Sequence, residues 1–508
     1  MRCASVSPVG AYDDLKARLG EINDLHSSAA ILDWDQHVMM PARGAAIRAE
    51  QLATLGNLAH EMFVDDETGR LLDAAASSVD SQPYDSDEAS LVRVTRRDWE
   101  KARRIPSELT ADMTRQASLA IPIWVEARRT SDYKAFLPAL QRNLDLRKRY
   151  VECFEGTFDE AYDVLLDDYE PGMRTAEVRH LFDYVKEHQA PLVRRAAEAA
   201  AGVTPPAGPW DIDTQKIFEL EVAKAFGFDE DAWRLDKTVH PFATGAGSQD
   251  IRITTRYFTD HLGGLFGTMH ETGHGLYEHQ VSPTLERTPL GSGVSLGFHE
   301  SQSRMWENLV GRGRPFWRHF FPRLAELFPS ATAGFDSESW YRVMNTVEPS
   351  LIRVEADEAT YNLHIILRFE LEQAMINGTI ALADLPGEWN RLMWEYLGIE
   401  VPDDANGVLQ DTHWAGGSIG YFPTYALGNL IGAQVWSRIE ADIPNLTASF
   451  EAGDFAPLRT WLGSHLHVLG RKFTPAETLE RVVGTSSIDP APYVAYLRDK
   501  LGDLYGVA

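Results

Sequence analysis

The chain has 508 residues, 44% of them hydrophobic and 10% aromatic, so it can bury a large core, and no repeat or low-complexity tract divides it. With 48 basic and 75 acidic side chains its formal net charge is −27, which argues against nucleic acid as a partner. Only two cysteines occur, Cys3 and Cys153, which excludes a disulfide framework. Because we find no signal peptide and no apolar run of membrane length, we expect a soluble, cytoplasmic protein that does not bind membranes.

The first 200 residues predict helices joined by short turns. Apolar residues recur at three- and four-residue steps over 15–25 and over 52–62, which is the spacing of one helix face. Charged amphipathic segments follow over 88–105 and 133–168, and neither sustains a clean heptad. We therefore predict packed antiparallel helices for this part of the chain, and not a coiled coil.

The best linker candidate is the stretch GVTPPAGPWD, residues 202–211, which follows a helix predicted to begin at Thr175. Its proline and glycine residues interrupt the regular structure on either side. We expect it to join two parts of a single unit over residues 1–508, a helical part at 1–200 and a second part at 212–508, and not two independent domains.

Residues 249–258, QDIRITTRYF, predict the one persuasive strand of the chain. Ile251 and Ile253 alternate with polar residues such as Arg252, and β-branched residues dominate. The preceding HPFATGAGS, residues 240–248, is typical of a loop. Because the strand comes directly before the segment described next, we expect its edge to be available to an extended peptide.

The segment after this strand, LGGLFGTMHETGHGLYEHQ, contains an H-E-x-x-H sequence. On a helix, His270 and His274 lie on one face and can bind one Zn²⁺, with Glu271 beside the open side of the metal. Apolar residues recur at helical spacing through the segment, and two internal glycines could let another backbone pass close by. Since the motif also arises by chance, the interpretation as a metal site requires a third ligand.

We expect that ligand to be Glu300, in the run GFHESQSRMWEN at 297–308. His299 is a competing candidate and Glu307 a weaker one. Two histidines and a glutamate with an open fourth position are typical of a catalytic zinc site. The sequence does not choose among Zn²⁺, Co²⁺ and Mn²⁺, since such a ligand set accepts all three.

Three further stretches place polar clusters in apolar surroundings. Arg353 and Asp357 have the spacing of an i, i+4 helix pair, which is either an ordinary surface ion pair or part of a site. Asp250 and Arg252 form the second cluster, within the predicted strand. The third mixes polar and aromatic side chains as a cleft wall does. It contains Gln410, Asp411, His413, Trp414, Tyr421 and Tyr425.

Six motifs occur along the chain in a fixed order. They are HPF at 240–242, DIRIT at 250–254, HETGH at 270–274, HESQS at 299–303, IRVEAD at 352–357 and GVLQDTHW at 407–414. Together with WDQ at 34–36 and RAEQLATL at 48–55, they make the chain resemble the thermostable carboxypeptidase (carboxypeptidase Taq) family of zinc metallopeptidases over essentially its whole length. Six ordered motifs are far more specific than H-E-x-x-H alone.

The resemblance implies a mainly α, zincin-type metallopeptidase with a small β-sheet and a deep central substrate groove, typically a homodimer. It implies hydrolysis of single amino acids from the free C-terminus of peptides. His270, His274 and Glu300 carry over as metal ligands and Glu271 as the catalytic base. The last two motifs are associated with the blind end of the groove, so we expect Arg353 to bind the substrate carboxylate with its planar fork.

We expect a zinc-activated water to attack the scissile carbonyl, with Glu271 as general base. His413 or Tyr421 would donate a hydrogen bond to the oxyanion, and the choice between them is open. The further residues expected to bind substrate are Gln410, Arg252 and His240. The alternatives are a zinc oligopeptidase that cuts internal bonds of short peptides, and a non-catalytic peptide- or metal-binding protein, which an intact Glu271 disfavours.

Overall fold

The computed structural model describes residues 10–203, 205–206 and 208–507. Cys3 and two residues of the linker candidate, Thr204 and Ala207, lie outside these ranges. Helices dominate the described residues, and a three-stranded sheet is inserted among them. The prediction of a mainly α fold with a small sheet is confirmed. Among the described helices, none is both long and apolar enough to cross a membrane.

Twenty α-helices occur in the described part of the chain. Those before the sheet are α1 (Ala11–Val38), α2 (Ala45–Val64), α3 (Asp66–Val79), α4 (Asp87–Arg103), α5 (Ser107–Thr130), α6 (Tyr133–Glu152), α7 (Ala161–Leu166), α8 (Thr175–Ala200) and α9 (Ile212–Phe226). Those after it are α10 (Gly263–His279), α11 (Leu296–Arg304), α12 (Arg314–Leu327), α13 (Ser337–Met344), α14 (Tyr361–Asn377), α15 (Leu385–Leu397), α16 (Pro423–Asp442), α17 (Leu446–Glu451), α18 (Ala456–His465), α19 (Pro475–Val483) and α20 (Ala491–Tyr505).

The described residues form two hydrophobic clusters. The larger contains residues from α5 through α20 and from the sheet. The smaller is built by α1–α4 together with Val281, Leu285 and Leu290, which follow α10. Helices α1–α4 therefore form a layer of their own, and residues 281–290 join it to the rest. The division of the chain near residues 202–211 stays a prediction.

The sheet consists of β1 (Trp233–Lys237), β2 (Ala243–Gly247) and β3 (Asp250–Thr255), in the order β1-β3-β2. β1 runs parallel to β3, and β2 runs antiparallel to it. The predicted strand is thus present as β3, but the prediction that its edge is free is wrong, because β3 is central and both edges are paired. The interpretation of residues 240–248 as a loop is also wrong, since they contain the edge strand β2.

Two glycines set how closely α10 approaches its neighbours. A Cβ at Gly275 would lie 2.4 Å from the ring of Trp233, and a Cβ at Gly273 would lie 2.6 Å from the carbonyl oxygen of Gln302 in α11. Contacts below 3 Å are not tolerated, so only glycine permits this packing. The two internal glycines of the H-E-x-x-H helix therefore let the sheet and α11 pack directly on it, as the sequence suggested.

Candidate metal centre

Two helices bring the three predicted metal ligands together. α10 carries His270 and His274 one turn apart, and α11 carries Glu300. Oε2 of Glu300 lies 3.5 Å from Nε2 of His270 and 3.6 Å from Nε2 of His274. One ligand atom from each of the three residues lies within 4.8 Å of the other two.

This donor set fits a tetrahedral metal ion. Metal–ligand bonds of about 2.0–2.1 Å place neighbouring ligand atoms of a zinc tetrahedron roughly 3.3–3.4 Å apart. The separations between Glu300 and the two imidazoles are close to that value. Three ligands leave a fourth position open, as a catalytic site requires. The donor set does not choose the ion.

Arg304 holds Glu300 in position. Its Nε donates to Oε1 of Glu300 at 2.7 Å, which leaves Oε2 directed at the imidazoles, and Ser303 Oγ donates to Oε2 at 3.0 Å. The guanidinium also stacks on the ring of Tyr361, 4.0 Å from its centroid. Sequence analysis missed Arg304, although its place one helical turn after Glu300 was a usable signal.

Residues Met305–Val310 continue α11 as a π-helix and bring Glu307 to His270. Nδ1 of His270 donates to Oε2 of Glu307 at 2.9 Å, which leaves Nε2 unprotonated for a metal. Burial alone would raise the pKa of Glu307, but Arg304, His270 and Arg312 lower it to about 2. Glu307, the weaker ligand candidate, thus accepts a hydrogen bond from the candidate ligand His270.

His299, the other competing candidate, lies behind His274. Its Nδ1 is 2.8 Å from Nδ1 of His274, and its Nε2 is 2.6 Å from Oε1 of Glu278. Among the described residues the group able to hold a metal contains Glu300 and not His299. The geometry therefore favours Glu300 as the third ligand.

The two imidazoles differ in their affinity for a proton. Burial, together with the charge on His270, lowers the pKa of His274 well below its ordinary range. Burial also disfavours a charge on His270, but the carboxylates of Glu300 and Glu307 outweigh burial and raise its pKa. A metal ion therefore competes with a proton mainly at His270.

Glu271 lies next to the ligands and lines the same cavity. Burial raises its pKa, the charge of His270 opposes this and that of Glu300 adds to it, so the pKa reaches about 7. Glu271 is thus a buried carboxyl group that faces the same cavity as the three ligands.

The ligands open onto a cavity of about 570 Å³. Helices α10 and α11 supply the metal-site wall, and residues 243–245 and Gly247 of β2 supply another. Asn23 and Ser27 of α1 and Tyr421 complete part of the lining. The predicted central substrate groove corresponds to this cavity. Its lining comes both from the layer of α1–α4, through α1, and from the helices and sheet of the larger cluster.

Arg353 lies against the ring of Tyr425, and it shares one acidic partner with Arg368. Arg353 donates from Nε and Nη2 to Oδ1 of Asp411 at 3.1 and 2.8 Å, and from Nη1 to the Tyr361 hydroxyl at 2.9 Å. Arg368 donates from Nε to Oδ2 of Asp411 at 2.8 Å. The arginine side chains are 6% and 0% exposed. Two buried guanidinium groups against one carboxylate leave an unbalanced positive charge.

Gln410 joins the same cluster, since its Oε1 accepts from the backbone N–H of Arg353 and from Nη2 of Arg368. The predicted pairing of Arg353 with Asp357 is wrong. Residues 353–355 form a 3₁₀ turn, so the helical spacing does not apply. Asp357 instead accepts from two backbone N–H groups of the residues that follow it.

The comparisons with known proteins agree with this geometry. The family model of the carboxypeptidase Taq (M32) metallopeptidases matches residues 14–501. The chain is 42% identical to thermostable carboxypeptidase 1 of Thermus thermophilus, and the alignment covers 99% of this chain and 100% of that one. The chain belongs to the M32 family.

Solved structures of the family share the fold of this chain over nearly its whole length. The crystal structure of the M32 carboxypeptidase from Deinococcus radiodurans R1 has a TM-score of 0.94 at 40% identity, covering 98% of this chain and 100% of that one. The carboxypeptidase of Pyrococcus furiosus has a TM-score of 0.92 at 36% identity, covering 97% and 99%. The protein is therefore a metallocarboxypeptidase, a peptide hydrolase that requires a metal ion, as predicted. The oligopeptidase alternative is not supported.

In this M32 carboxypeptidase the two candidate oxyanion donors occupy different positions. Tyr421 lines the cavity. His413 packs behind Tyr425, with its Nε2 3.3 Å from that hydroxyl, and does not line the cavity. Burial lowers the pKa of His413 to about 3, against the opposing charge of Asp411. Tyr421 is the better placed of the two.

Two other predicted substrate-binding residues do not line the cavity of the M32 enzyme either. Arg252 pairs with Asp250 at 2.9 Å and stacks on Trp34 of α1 with its guanidinium carbon 4.5 Å from the ring centroid. It thereby joins α1 to the sheet. His240 directly precedes the cavity residue Pro241, and partial desolvation and the charge of Arg353 lower its pKa.

Proposed function

We propose that this metallocarboxypeptidase binds one Zn²⁺ through His270, His274 and Glu300 and removes single residues from the free C-terminus of peptides. The observation that carries this proposal is that the cavity of the metal ligands is also lined by Tyr425, whose ring lies against the buried guanidinium of Arg353. A three-ligand centre with an open position can support hydrolysis, and a buried arginine pair with unbalanced positive charge can bind a carboxylate.

The N–H groups of Arg353 suit a terminal carboxylate. Of its five N–H groups, two donate to Asp411 and one to Tyr361, which leaves one on each terminal nitrogen. Two parallel N–H groups bind the two oxygens of a carboxylate. Because the ring of Tyr425 lies 4.9 Å from the guanidinium carbon and separates it from the cavity, we propose that this ring moves when a peptide enters.

The chemical step uses groups that line the cavity. A metal ion held by His270, His274 and Glu300 would supply Lewis acidity for the scissile carbonyl and for the deprotonation of water. Glu271 takes the proton of the attacking water and delivers it to the leaving amine. The hydroxyl of Tyr421 donates to the carbonyl oxygen as negative charge develops there, so Tyr421→Phe should lower kcat by roughly 10²–10³-fold while metal content stays unchanged.

The backbone of the substrate pairs with β2 in this proposal. β2 is an edge strand of the described sheet, and its residues line the cavity from Ala243 to Gly247. An extended peptide can add to such an edge through main-chain hydrogen bonds, which are independent of side-chain sequence. This arrangement suits an enzyme that must accept successive, different C-terminal residues.

The assembly and location of the enzyme also stay proposals. We propose a homodimer in the cytoplasm, on the family resemblance. Helix α5 exposes four large apolar side chains as two pairs on opposite sides of the helix, Leu119 with Ile123 and Ile121 with Val125, and a second subunit could cover either pair. Light scattering of the purified protein should give twice the mass of the chain, and a monomer mass would rule the dimer out.

The decisive experiment uses blocked peptides that occur as free acids and as C-terminal amides. The wild type, loaded with Zn²⁺ or Co²⁺, should shorten the free acids one residue at a time in mass spectra and leave the amides intact. Glu271→Gln should bind metal but release no amino acid. Internal fragments, or equal cleavage of acids and amides, would overturn the proposed reaction.

A further inference from the structure

A chain of hydrogen bonds runs from His274 through His299 to Glu278, and all three side chains line the cavity. Nδ1 of His274 lies 2.8 Å from Nδ1 of His299, and Nε2 of His299 lies 2.6 Å from Oε1 of Glu278. The same Glu278 oxygen accepts the backbone N–H of Gly293 at 3.0 Å. Glu278 thus holds the ring of His299, and His299 in turn holds the ring of His274.

The direction of these hydrogen bonds follows from counting protons. Glu278 accepts from Gly293 and has no proton to give as a carboxylate, so Nε2 of His299 carries the hydrogen between them. In a neutral imidazole Nδ1 of His299 is then an acceptor. Nδ1 of His274 must donate to it, and Nε2 of His274 is left as a lone pair directed at Glu300 and the metal position.

Close packing fixes the His299 ring in this role. A Cβ at Gly293 would lie 2.7 Å from Cδ2 of His299 and 2.8 Å from the ring of Tyr277, so no larger residue fits there. The Tyr277 ring lies 5.1 Å from the His299 ring, and its hydroxyl accepts the backbone N–H of Val294. The imidazole therefore sits in a slot built by α10 and by the segment that precedes α11.

The other histidine ligand is oriented differently. His270 donates directly to the carboxylate of Glu307, which Arg304 also contacts at 3.2 Å. At His274 an imidazole is interposed between ligand and carboxylate. Nδ1 of His299 can accept a hydrogen bond only while the ring proton of His299 stays on Nε2, and the carboxylate of Glu278 keeps that proton there. The two residues therefore work as one unit.

We propose that Glu278 and His299 are positioning residues that fix the protonation site of His274, so that its Nε2 is available to the metal. The proposal rests on the proposed role of His274 as a ligand. Partners of this kind typically contribute 10- to 100-fold to metal affinity. Both residues line the cavity, but neither belongs to the group of described residues able to hold a metal, so their effect on the metal acts through His274.

The test measures metal binding by the full-length apoenzyme. Zn²⁺ affinity is obtained by competition with a chromophoric chelator, and the visible spectrum of the Co²⁺ form reports ligand geometry. His299→Leu removes the acceptor and should weaken Zn²⁺ binding by roughly 10- to 100-fold. His299→Gln keeps an acceptor oxygen and should restore most of the affinity and the wild-type Co²⁺ spectrum. Glu278→Gln should fall between them, because its amide can donate to His299 and reverse the chain.

Two controls separate this role from a structural one and from a failure of the metal site. Glu286→Gln changes a second cavity glutamate that does not contact His299, and its Zn²⁺ affinity should match the wild type. The melting temperature of the apoenzyme should be equal in all these variants. Unchanged affinity in His299→Leu, or equal losses in His299→Leu and His299→Gln, would overturn the proposal. If His274→Ala also binds Zn²⁺ like the wild type, the metal site itself is wrongly placed.

Discussion

At the scale of single residues, the proposed carboxylate site at the buried pair of Arg353 and Arg368 accounts for the removal of a terminal residue in place of internal cleavage. Replacing Arg353 by Met removes the two free N–H groups and the unbalanced charge. We expect kcat/KM for free-acid peptides to fall roughly 30- to 1,000-fold, mainly through KM, as for other losses of a buried charged partner. Steady-state kinetics on matched free-acid and amidated peptides measures the change.

Arg252→Met is the matched control, because Arg252 also pairs with an aspartate and stacks on an aromatic ring, but that ring belongs to Trp34, whereas the ring on Arg353 belongs to the cavity residue Tyr425. Its ratio of free-acid to amide hydrolysis should equal that of the wild type. An Arg353→Met enzyme that keeps the wild-type ratio would show that another group binds the carboxylate.

The three residues that come together as candidate metal ligands could be predicted from the sequence, whereas the residues that orient them could be predicted only in part. His270 and His274 are fixed on one face by helical periodicity alone, and Glu300 was named from its surroundings. His299 and Glu307 were noticed because they carry metal-binding side chains, yet local sequence does not tell a ligand from the partner of a ligand. That distinction depends on how α11 crosses α10, which no local pattern contains.

At the scale of elements, the glycines of α10 decide how deeply the metal helix is packed. In Gly275→Ala the new methyl group would meet the Trp233 ring at 2.4 Å. Overpacking of this kind costs about 1–3 kcal/mol, which exceeds the gain of at most about 1 kcal/mol in helix propensity. We expect lower stability in urea unfolding of the apoenzyme, and weaker Zn²⁺ binding because α10 must shift.

Gly267→Ala on the same helix provides the comparison. There a Cβ would meet nothing closer than Pro241, at 3.9 Å, so only the propensity term changes. This variant should be up to about 1 kcal/mol more stable than the wild type. The same sign of change in both variants would contradict the packing argument.

The sheet illustrates why one element was predicted and its neighbour was not. β3 alternates buried isoleucines with polar residues, and this two-residue period is visible in the sequence. β2 reads ATGAG, and its residues are neither fully buried nor alternating. Its strand geometry comes from pairing with β3, which brings Ala243 opposite Ile253. A strand of small residues has no pattern of its own, so only the tertiary structure defines it.

At the scale of the whole molecule, three buried carboxyl groups tie active-site segments together without a hydrogen-bonded cation. Glu170 accepts from Ser295 and Gly297 at the start of α11, and Glu219 accepts from Thr268 of α10. Burial raises the pKa of Glu170 to about 7 and that of Glu219 to about 8. Glu372 accepts from Tyr162, Trp414 and Gly420, and burial raises its pKa to about 7.

These raised pKa values give the stability of the enzyme a defined pH dependence. In the unfolded chain the three groups titrate near pH 4.5, so above that pH the folded state binds more protons and stability falls as pH rises. The fall ends above pH 8, where the folded groups are ionised too. Buried His364 and His467 have lowered pKa values and act in the opposite direction, but only below about pH 6.5. The fall is therefore clearest between pH 6.5 and 8.5.

We expect the free energy of unfolding of the apoenzyme to decrease by about 3 kcal/mol between pH 6.5 and 8.5, since each pKa unit corresponds to about 1.4 kcal/mol. Thermal unfolding in chelator measures it as a drop of several degrees in Tm. Replacing Glu170, Glu219 and Glu372 together by Gln should make the drop smaller and leave the share of Glu271 and His270, whose raised pKa values act with the same sign, whereas Glu126→Gln on the exposed face of α5 should leave the drop unchanged. A triple variant that loses stability as steeply as the wild type would show that these carboxyl groups are already ionised in the folded enzyme at pH 6.5.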